Sequence, residues 1–239
     1  MMPYIICHMM TTIDGRIIAE RWTLPNDGIS TLDSVTEPYF TISDNFQADA
    51  ELFGRNTVQK DLCSDLFDPT GLPPTNNPTT FIGKLTSRRF CIILDPHGKT
   101  LYKSNQLAEE NVIAVLSEQV SDHYLQHLRD LRISYLFAGS DGRDLNTAMQ
   151  TLAAEFNIKK IVLQGGGIIN GAFLKAKLIN EISLIIYPSI DGLSGIHTIF
   201  ECPDQQNIIP GLGQELKLTS TQQLDHGIMW LHYHVKKNV

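Results

Sequence analysis

Short unbroken apolar runs alternate along this chain with stretches in which apolar residues recur every three or four positions. That alternation predicts strands and helices in turn. Residues 3–10 read as a buried strand, followed by the turn dipeptide Asp14-Gly15. Residues 49–54 form a second short strand that ends at Gly54. Arg89 to Leu94 and Val112 to Leu116 are strands, and Ser121 caps a helix presenting Leu125, Leu128 and Leu131 on one side. Tyr135 to Ala138 is another strand. Over residues 144–157, Leu145, Ala148, Met149, Leu152, Ala153 and Phe156 make a continuous helical stripe suited to packing on a sheet. The strand Ile161–Leu163 leads into Gly165-Gly166-Gly167 and then a helix from about Ile168 to Leu178. Ile182 to Tyr187 is a nearly continuous apolar run, as in a strand covered on both faces.

Two regions break the rhythm. Residues 68–87 carry Pro69, Pro73, Pro74 and Pro78 among polar residues, which predicts a long ordered loop of a kind that is usually functional or mobile. Lys217 to Gln222 and Ile228 to Val235, joined by Asp225-His226-Gly227, predict a closing antiparallel hairpin. Together these elements imply an α/β fold: a mainly parallel sheet, flanking helices and an antiparallel edge. With no repeat and no second core boundary, a single domain over residues 1–239 is expected.

Composition narrows the partners. The formal net charge is −7, which disfavours a nucleic-acid backbone and leaves room for a local basic pocket that takes a small phosphate. The four cysteines, Cys7, Cys63, Cys91 and Cys202, are widely spaced with no Cys-x-x-Cys pair, and no His-x-Glu begins a zinc-deaminase signature. A reducing compartment fits them best. The N-terminus lacks a basic leader, and no run approaches the ~18 apolar residues of a membrane span. A cytoplasmic protein without a membrane partner is expected. His226, His232 and His234 are close in sequence, but no Cys or acidic partner stands at a suitable spacing, so no metal is expected.

A strand, three glycines and a helix form a device for holding phosphate. Glycine lets the backbone approach closely, and the helix start offers unpaired N–H groups and the positive end of the macrodipole. Gly165-x-Gly167-x-x-Asn170-Gly171 is close to the dinucleotide-binding fingerprint, with Asn170 in place of its third glycine and a position late in the chain. By itself the motif is compatible with a plain strand-to-helix turn or with a ligand site.

The run Val162 to Leu174, followed by Leu178-Ile179-Asn180-Glu181 and Tyr187-Pro188-Ser189-Ile190-Asp191-Gly192, resembles the reductase domain of riboflavin biosynthesis. That domain is the C-terminal half of the bifunctional deaminase–reductase and shares the dihydrofolate reductase fold. Thr12-Ile13-Asp14-Gly15-Arg16 resembles the family's Ser-Leu-Asp-Gly-Lys/Arg segment. Ala48 to Gly54 leading to Thr57-Val58 and Asp61, and Arg89 to Asp95, also match, in the expected order over nearly the whole chain.

The resemblance implies NADPH. Thr57 would contact it, and Gly165, Gly166, Gly167, Ile168 and Ile169 would cradle its pyrophosphate. Gly54-Arg55-Asn56-Thr57 also resembles the Gly-Arg-Lys-Thr of dihydrofolate reductase. Arg55 is therefore either a forked partner for a 2′-phosphate or a solvated turn residue. The implied reaction reduces a phosphoribosylaminopyrimidine, a small-molecule substrate, at the sugar C1′. Asp61 is the candidate proton donor or polar anchor, or else a surface aspartate. Thr12, Asp14, Trp22 and Gln164 are candidate substrate contacts, Trp22 by stacking on a heterocycle or alternatively by capping the core. Ser117 is a turn serine or an adenosine contact. A homodimer, paired through sheet edges near the end of the chain, is also implied.

Three departures stand out. Gln164 replaces the Glu that the family places before its glycines, Asn45 replaces an arginine, and Leu62 to Thr80 contains no basic residue where another arginine is expected. They leave open a reductase of this fold with another heterocyclic or carbonyl substrate, or a non-catalytic nucleotide-binding, dimer-forming protein.

Overall fold

The structure is a computed structural model that describes residues 1–61, 66–203 and 208–237, without the side chains of Lys60 and Asp61. In chain order the elements are β1 (Tyr4–Thr12), α1 (Leu32–Asn45), β2 (Ala50–Gly54), α2 (Arg55–Asp61), β3 (Phe90–Leu94), β4 (Gln106–Leu107), β5 (Glu110–Leu116), α3 (Asp122–Asp130), β6 (Ser134–Phe137), α4 (Leu145–Glu155), β7 (Lys160–Leu163), α5 (Gly167–Lys175), β8 (Glu181–Tyr187), β9 (Gln214–Gln223) and β10 (Met229–Lys237). Every strand and helix expected from the apolar pattern is among them. The chain divides into two compact units, Met1–Pro3 with Ala48–Ile161 and Tyr4–Gln47 with Val162–Val239.

In the first unit the strand order is β4-β5-β3-β2, with β6 also on β5. The pairs β2–β3, β3–β5 and β5–β6 are parallel. All five residues of β3 are buried, which explains why that strand is apolar on both faces. Ile93, Val112, Leu125, Leu128 and Tyr135 meet in its core. Ser121 caps α3 by accepting the Tyr124 N–H at 3.2 Å, and Asp144 caps α4 by accepting that of Thr147 at 3.0 Å.

The proline-rich segment is an ordered strap fixed to this unit along its length. Leu66 bridges Thr100, Pro74 bridges Ser121, and Phe81 and Tyr135 exchange backbone hydrogen bonds at 3.0 Å each. Phe67 packs on Tyr124 at a centroid distance of 5.0 Å, and the Thr75 hydroxyl donates to Asp122 at 2.6 Å. By pairing with β6, Phe81 covers backbone that would otherwise be an open sheet edge.

In the second unit the order is β7-β1-β8-β10-β9. β1 and β8 run parallel from Ile6↔Glu181 to Thr12↔Tyr187, and β10 lies antiparallel between β8 and β9. The apolar pattern does not predict α1, because Pro38 lies inside it and removes a helical hydrogen bond. The helix forms because Thr31 and Ser34 make a reciprocal cap and because Val35 and Ile42 are buried against Met10, Trp22 and Ile185.

His8, in the middle of β1, is fully buried. Its Nε2 lies 2.9 Å from the Tyr39 carbonyl oxygen, which can only accept, so Nε2 carries the proton. Nδ1 then accepts from the Ser183 hydroxyl at 2.9 Å, and Ser183 Oγ accepts from Trp230 Nε1 at 2.8 Å. Burial lowers the His8 pKa to about 4. The unfolded imidazole, near 6.5, takes up its proton first. The stability due to neutral His8 is therefore complete above pH 6.5 and is lost as pH falls toward 4. At about 1.4 kcal/mol per unit the loss is roughly 3 kcal/mol. Urea denaturation of wild type and His8→Gln should show this: wild type loses more stability than the variant between pH 7 and pH 4, and equal losses would contradict the assignment.

Candidate functional site

β7 ends at Leu163, and one residue, Gln164, separates it from the glycines. Gly165 has φ +81°, a conformation that favours glycine, and the Gly165–Gly166 peptide is cis. Gly166 is the N-cap of α5 and offers no side-chain acceptor, so the first N–H groups of the helix, at Gly167, Ile168 and Ile169, face no capping side chain. Such a start fits an anion. Ile168 is exposed and Ile169 half-buried, so neither is a core anchor.

Glycine is required here for a second reason, which the motif does not reveal. A Cβ on Gly167 would lie 2.1 Å from the Thr198 carbonyl oxygen, and one on Gly171 would lie 1.9 Å from that of Glu201. The segment 196–201 crosses directly over this face of α5. The Gly167 carbonyl accepts the Glu201 N–H at 2.9 Å, and Asn170 Nδ2 donates to the Ile199 carbonyl at 2.9 Å. Asn170, which stands where the dinucleotide fingerprint has its third glycine, is thus a fully buried anchor for that segment.

The same segment reaches the turn after β1. Arg16 bridges Thr198 and its Nη1 donates to the Ile196 carbonyl at 2.7 Å. The buried Thr12 hydroxyl donates to Asp14 Oδ1 at 2.6 Å, and Asp14 also accepts the N–H groups of Asp191 at 3.2 Å and Gly192 at 2.8 Å. The Thr12 hydroxyl and the Gly192 N–H lower the Asp14 pKa to about 2. Asp191 in turn pairs with Arg21. Thr12 and Asp14 are therefore drawn together with the loop after β8. Trp22 is 8% exposed and stacks on Tyr187 at 5.1 Å, within the core that includes Val35 and Ile42.

Gln164 is half-buried and held from α1: the Tyr39 hydroxyl donates to its Oε1 at 2.9 Å, and its Nε2 donates to Ser43 Oγ at 3.0 Å. No motif in the sequence marks Tyr39 or Ser43. Their spacing of four residues is the only available signal, and it is visible only once α1 is known to be a helix.

In the first unit, Arg55 opens α2 directly after Gly54. Its Nε lies 3.8 Å from Asp95 Oδ1 and its Nη1 donates to Gln59 at 2.5 Å. Asp95 is fully buried and its other oxygen accepts the N–H groups of Lys99 and Thr100 at 2.8 and 2.7 Å. Thr57 is half-buried on the same helix. The side chain of Asp61 lies outside the described residues. Ser117 is buried and donates to the Pro96 carbonyl at 2.6 Å, a turn-holding contact. At the other end of the chain, His232 lies 3.0 Å from Glu181, and no group of three metal-ligating side chains occurs among the described residues.

Residues 3–230 match the model of the RibD C-terminal domain. The chain belongs to the RibD C-terminal domain family. It is 24% identical over 221 residues to the 2,5-diamino-6-ribosylamino-4(3H)-pyrimidinone 5′-phosphate reductase of Methanothermobacter thermautotrophicus, covering 92% of this chain and 94% of that one. Its fold matches a pyrimidine reductase-like protein from Corynebacterium diphtheriae, with a TM-score of 0.65 at 18% identity over 99% and 93% of the two chains. It also matches the riboflavin biosynthesis reductase of Saccharomyces cerevisiae, with a TM-score of 0.59 at 15% identity over 98% and 90%. Family membership and these fold relatives agree with the expected α/β architecture. Among the described residues, no helix is long and apolar enough to cross a membrane.

The close approach over α5 has a measurable consequence. Gly171→Ala should lower stability by about 1–3 kcal/mol or more, because the obstruction is backbone and has no rotamer to escape into. Urea denaturation reads it; a variant as stable as wild type would mean that the 196–201 segment does not press on the helix.

Proposed function

We propose that this chain is an NADPH-dependent reductase acting on a phosphoribosylaminopyrimidine of riboflavin biosynthesis, of the type 5-amino-6-(5-phosphoribosylamino)uracil. The observation that carries this reading is the family match over residues 3–230, which includes the side-chain-free start of α5. NADPH, when bound, supplies a hydride for the sugar C1′ of the substrate. The chain's own residues bind, orient and deliver a proton. Gly165 to Ile169 hold the pyrophosphate on backbone N–H groups, and Thr57 adds a contact from α2. Arg55 takes the 2′-phosphate, its guanidinium already oriented by Asp95 and Gln59. Asp61 is the proton donor or polar anchor. Thr12, Asp14 and Gln164 serve the substrate, while Trp22, stacked on Tyr187 in the core, backs the turn after β1. The three departures, Gln164 among them, favour a second reading in which the same machinery reduces a different heterocycle.

The first test is binding and turnover. NADPH should bind the wild type, and Arg55→Ala should weaken it by about tenfold while changing NADH little. Asp61→Asn should lower the rate of pyrimidine reduction by about 100-fold or more with NADPH affinity retained. Absence of NADPH binding at millimolar concentration would end the reductase reading. NADPH binding without turnover of the pyrimidine would favour the second substrate class.

We also propose a homodimer in the cytoplasm. The ten-residue strand β9 is paired with β10 at one end of its sheet, and Leu216 and Leu218 on it are each 48% exposed. A long exposed edge of this kind calls for a cover. Cys7 and Cys91 are free and buried, which suits a reducing compartment. Sedimentation should give twice the 26.8 kDa chain mass, and Leu216→Glu with Leu218→Glu should give the monomer. A wild-type monomer at working concentration removes the dimer.

A further inference from the structure

Gln164 lies just beyond the carboxyl end of β7, the end of an α/β strand at which ligands bind, and directly before the glycine turn. An amide has two N–H donors and two acceptor lone pairs. Here α1 takes one of each: Tyr39 donates to Oε1 at 2.9 Å and Ser43 accepts from Nε2 at 3.0 Å. The clamp is itself fixed. The Tyr39 ring stacks on His8 at 4.5 Å with an interplanar angle of 13°, and His8 is locked by Ser183 and by the Tyr39 carbonyl. Ser43 is 5% exposed. Two apolar side chains would join α1 to this position without the desolvation of two hydroxyl groups, so the polar pair controls orientation as well as packing.

We propose that Tyr39 and Ser43 are positioning residues that fix the Gln164 amide so that its remaining N–H is offered to the substrate. The substrate group opposite it is then a hydrogen-bond acceptor, a carbonyl oxygen or ring nitrogen of the heterocycle. A carboxylate at this position has no proton to give and demands a donor instead. An amide held in this way keeps one N–H to give where a carboxylate has none. This inference rests on the reductase reading and names one feature of its substrate.

The test uses the full chain with NADPH and either 5-amino-6-(5-phosphoribosylamino)uracil or its 2,5-diamino counterpart, whichever the wild type reduces faster. Tyr39→Phe and Ser43→Ala should each raise KM for the pyrimidine about five- to tenfold and leave kcat within about twofold. The NADPH Kd, read by fluorescence, and the thermal midpoint should stay at wild-type values. Gln164→Ala, which removes both clamp contacts and the N–H, should lower kcat/KM by about tenfold or more. Wild-type KM in both folded clamp variants, or full activity in Gln164→Ala, overturns the proposal while leaving the reductase reading intact. Should Tyr39→Phe fail to fold, Ser43→Ala carries the same comparison. A wild type that binds NADPH but reduces neither pyrimidine removes the substrate assignment and this inference together.

Discussion

The second unit depends on the space left by two missing side chains. With carbonyl oxygens of Thr198 and Glu201 near 2 Å from where the Cβ atoms of Gly167 and Gly171 would stand, segment 196–201 can lie on α5 only because those positions are glycine. That contact also joins the start of α5 to the turn after β1. Arg16 holds the same segment through Thr198 and Ile196, while Thr12 and Asp14 gather the Asp191–Gly192 loop beside it. One run of backbone thus ties together the proposed phosphate cradle and the proposed substrate turn. Neither set of residues is near the other in sequence.

Polar groups inside this unit are arranged by donor and acceptor capacity as much as by burial. Trp230 can only donate and the Tyr39 carbonyl can only accept, so the proton positions on Ser183 and His8 between them are determined. Tyr39 then carries that rigidity to Gln164 through its hydroxyl. A neutral buried histidine costs stability in acid, and here it supports the ring that holds an amide at the mouth of the glycine turn.

The first unit meets a different constraint. A parallel sheet that ends at β6 has an edge, and the proline-rich strap closes it through Phe81 while Thr75 and Phe67 fasten it to α3. The spacing of prolines suits a segment that must follow a surface without forming a helix. Arg55 and Asp95 show how the same unit prepares a charged group: the carboxylate is anchored by two backbone N–H groups and faces the guanidinium at the start of α2.

The apolar periodicity was sufficient for every strand except the two-residue β4 and for α3, α4 and α5, because burial on one or both faces imposes a pattern that is local in sequence. The same was true of the glycine turn and of the family resemblance, since both are carried by contiguous residues. α1 was not legible: Pro38 obscures a helix whose stability comes from packing Val35 and Ile42 on distant strands. The partners of Gln164 were hidden for the same reason, being residues of α1 more than a hundred positions away. Asn170 looked like a departure from a fingerprint and proved to be the anchor of segment 196–201. The sequence alone determined the long strands, the helices α3 to α5 and a glycine turn of the kind that suits an anion. Only the tertiary structure decided which hydroxyls orient Gln164 and why Gly167 and Gly171 must be glycine, because those contacts join segments that approach only after folding.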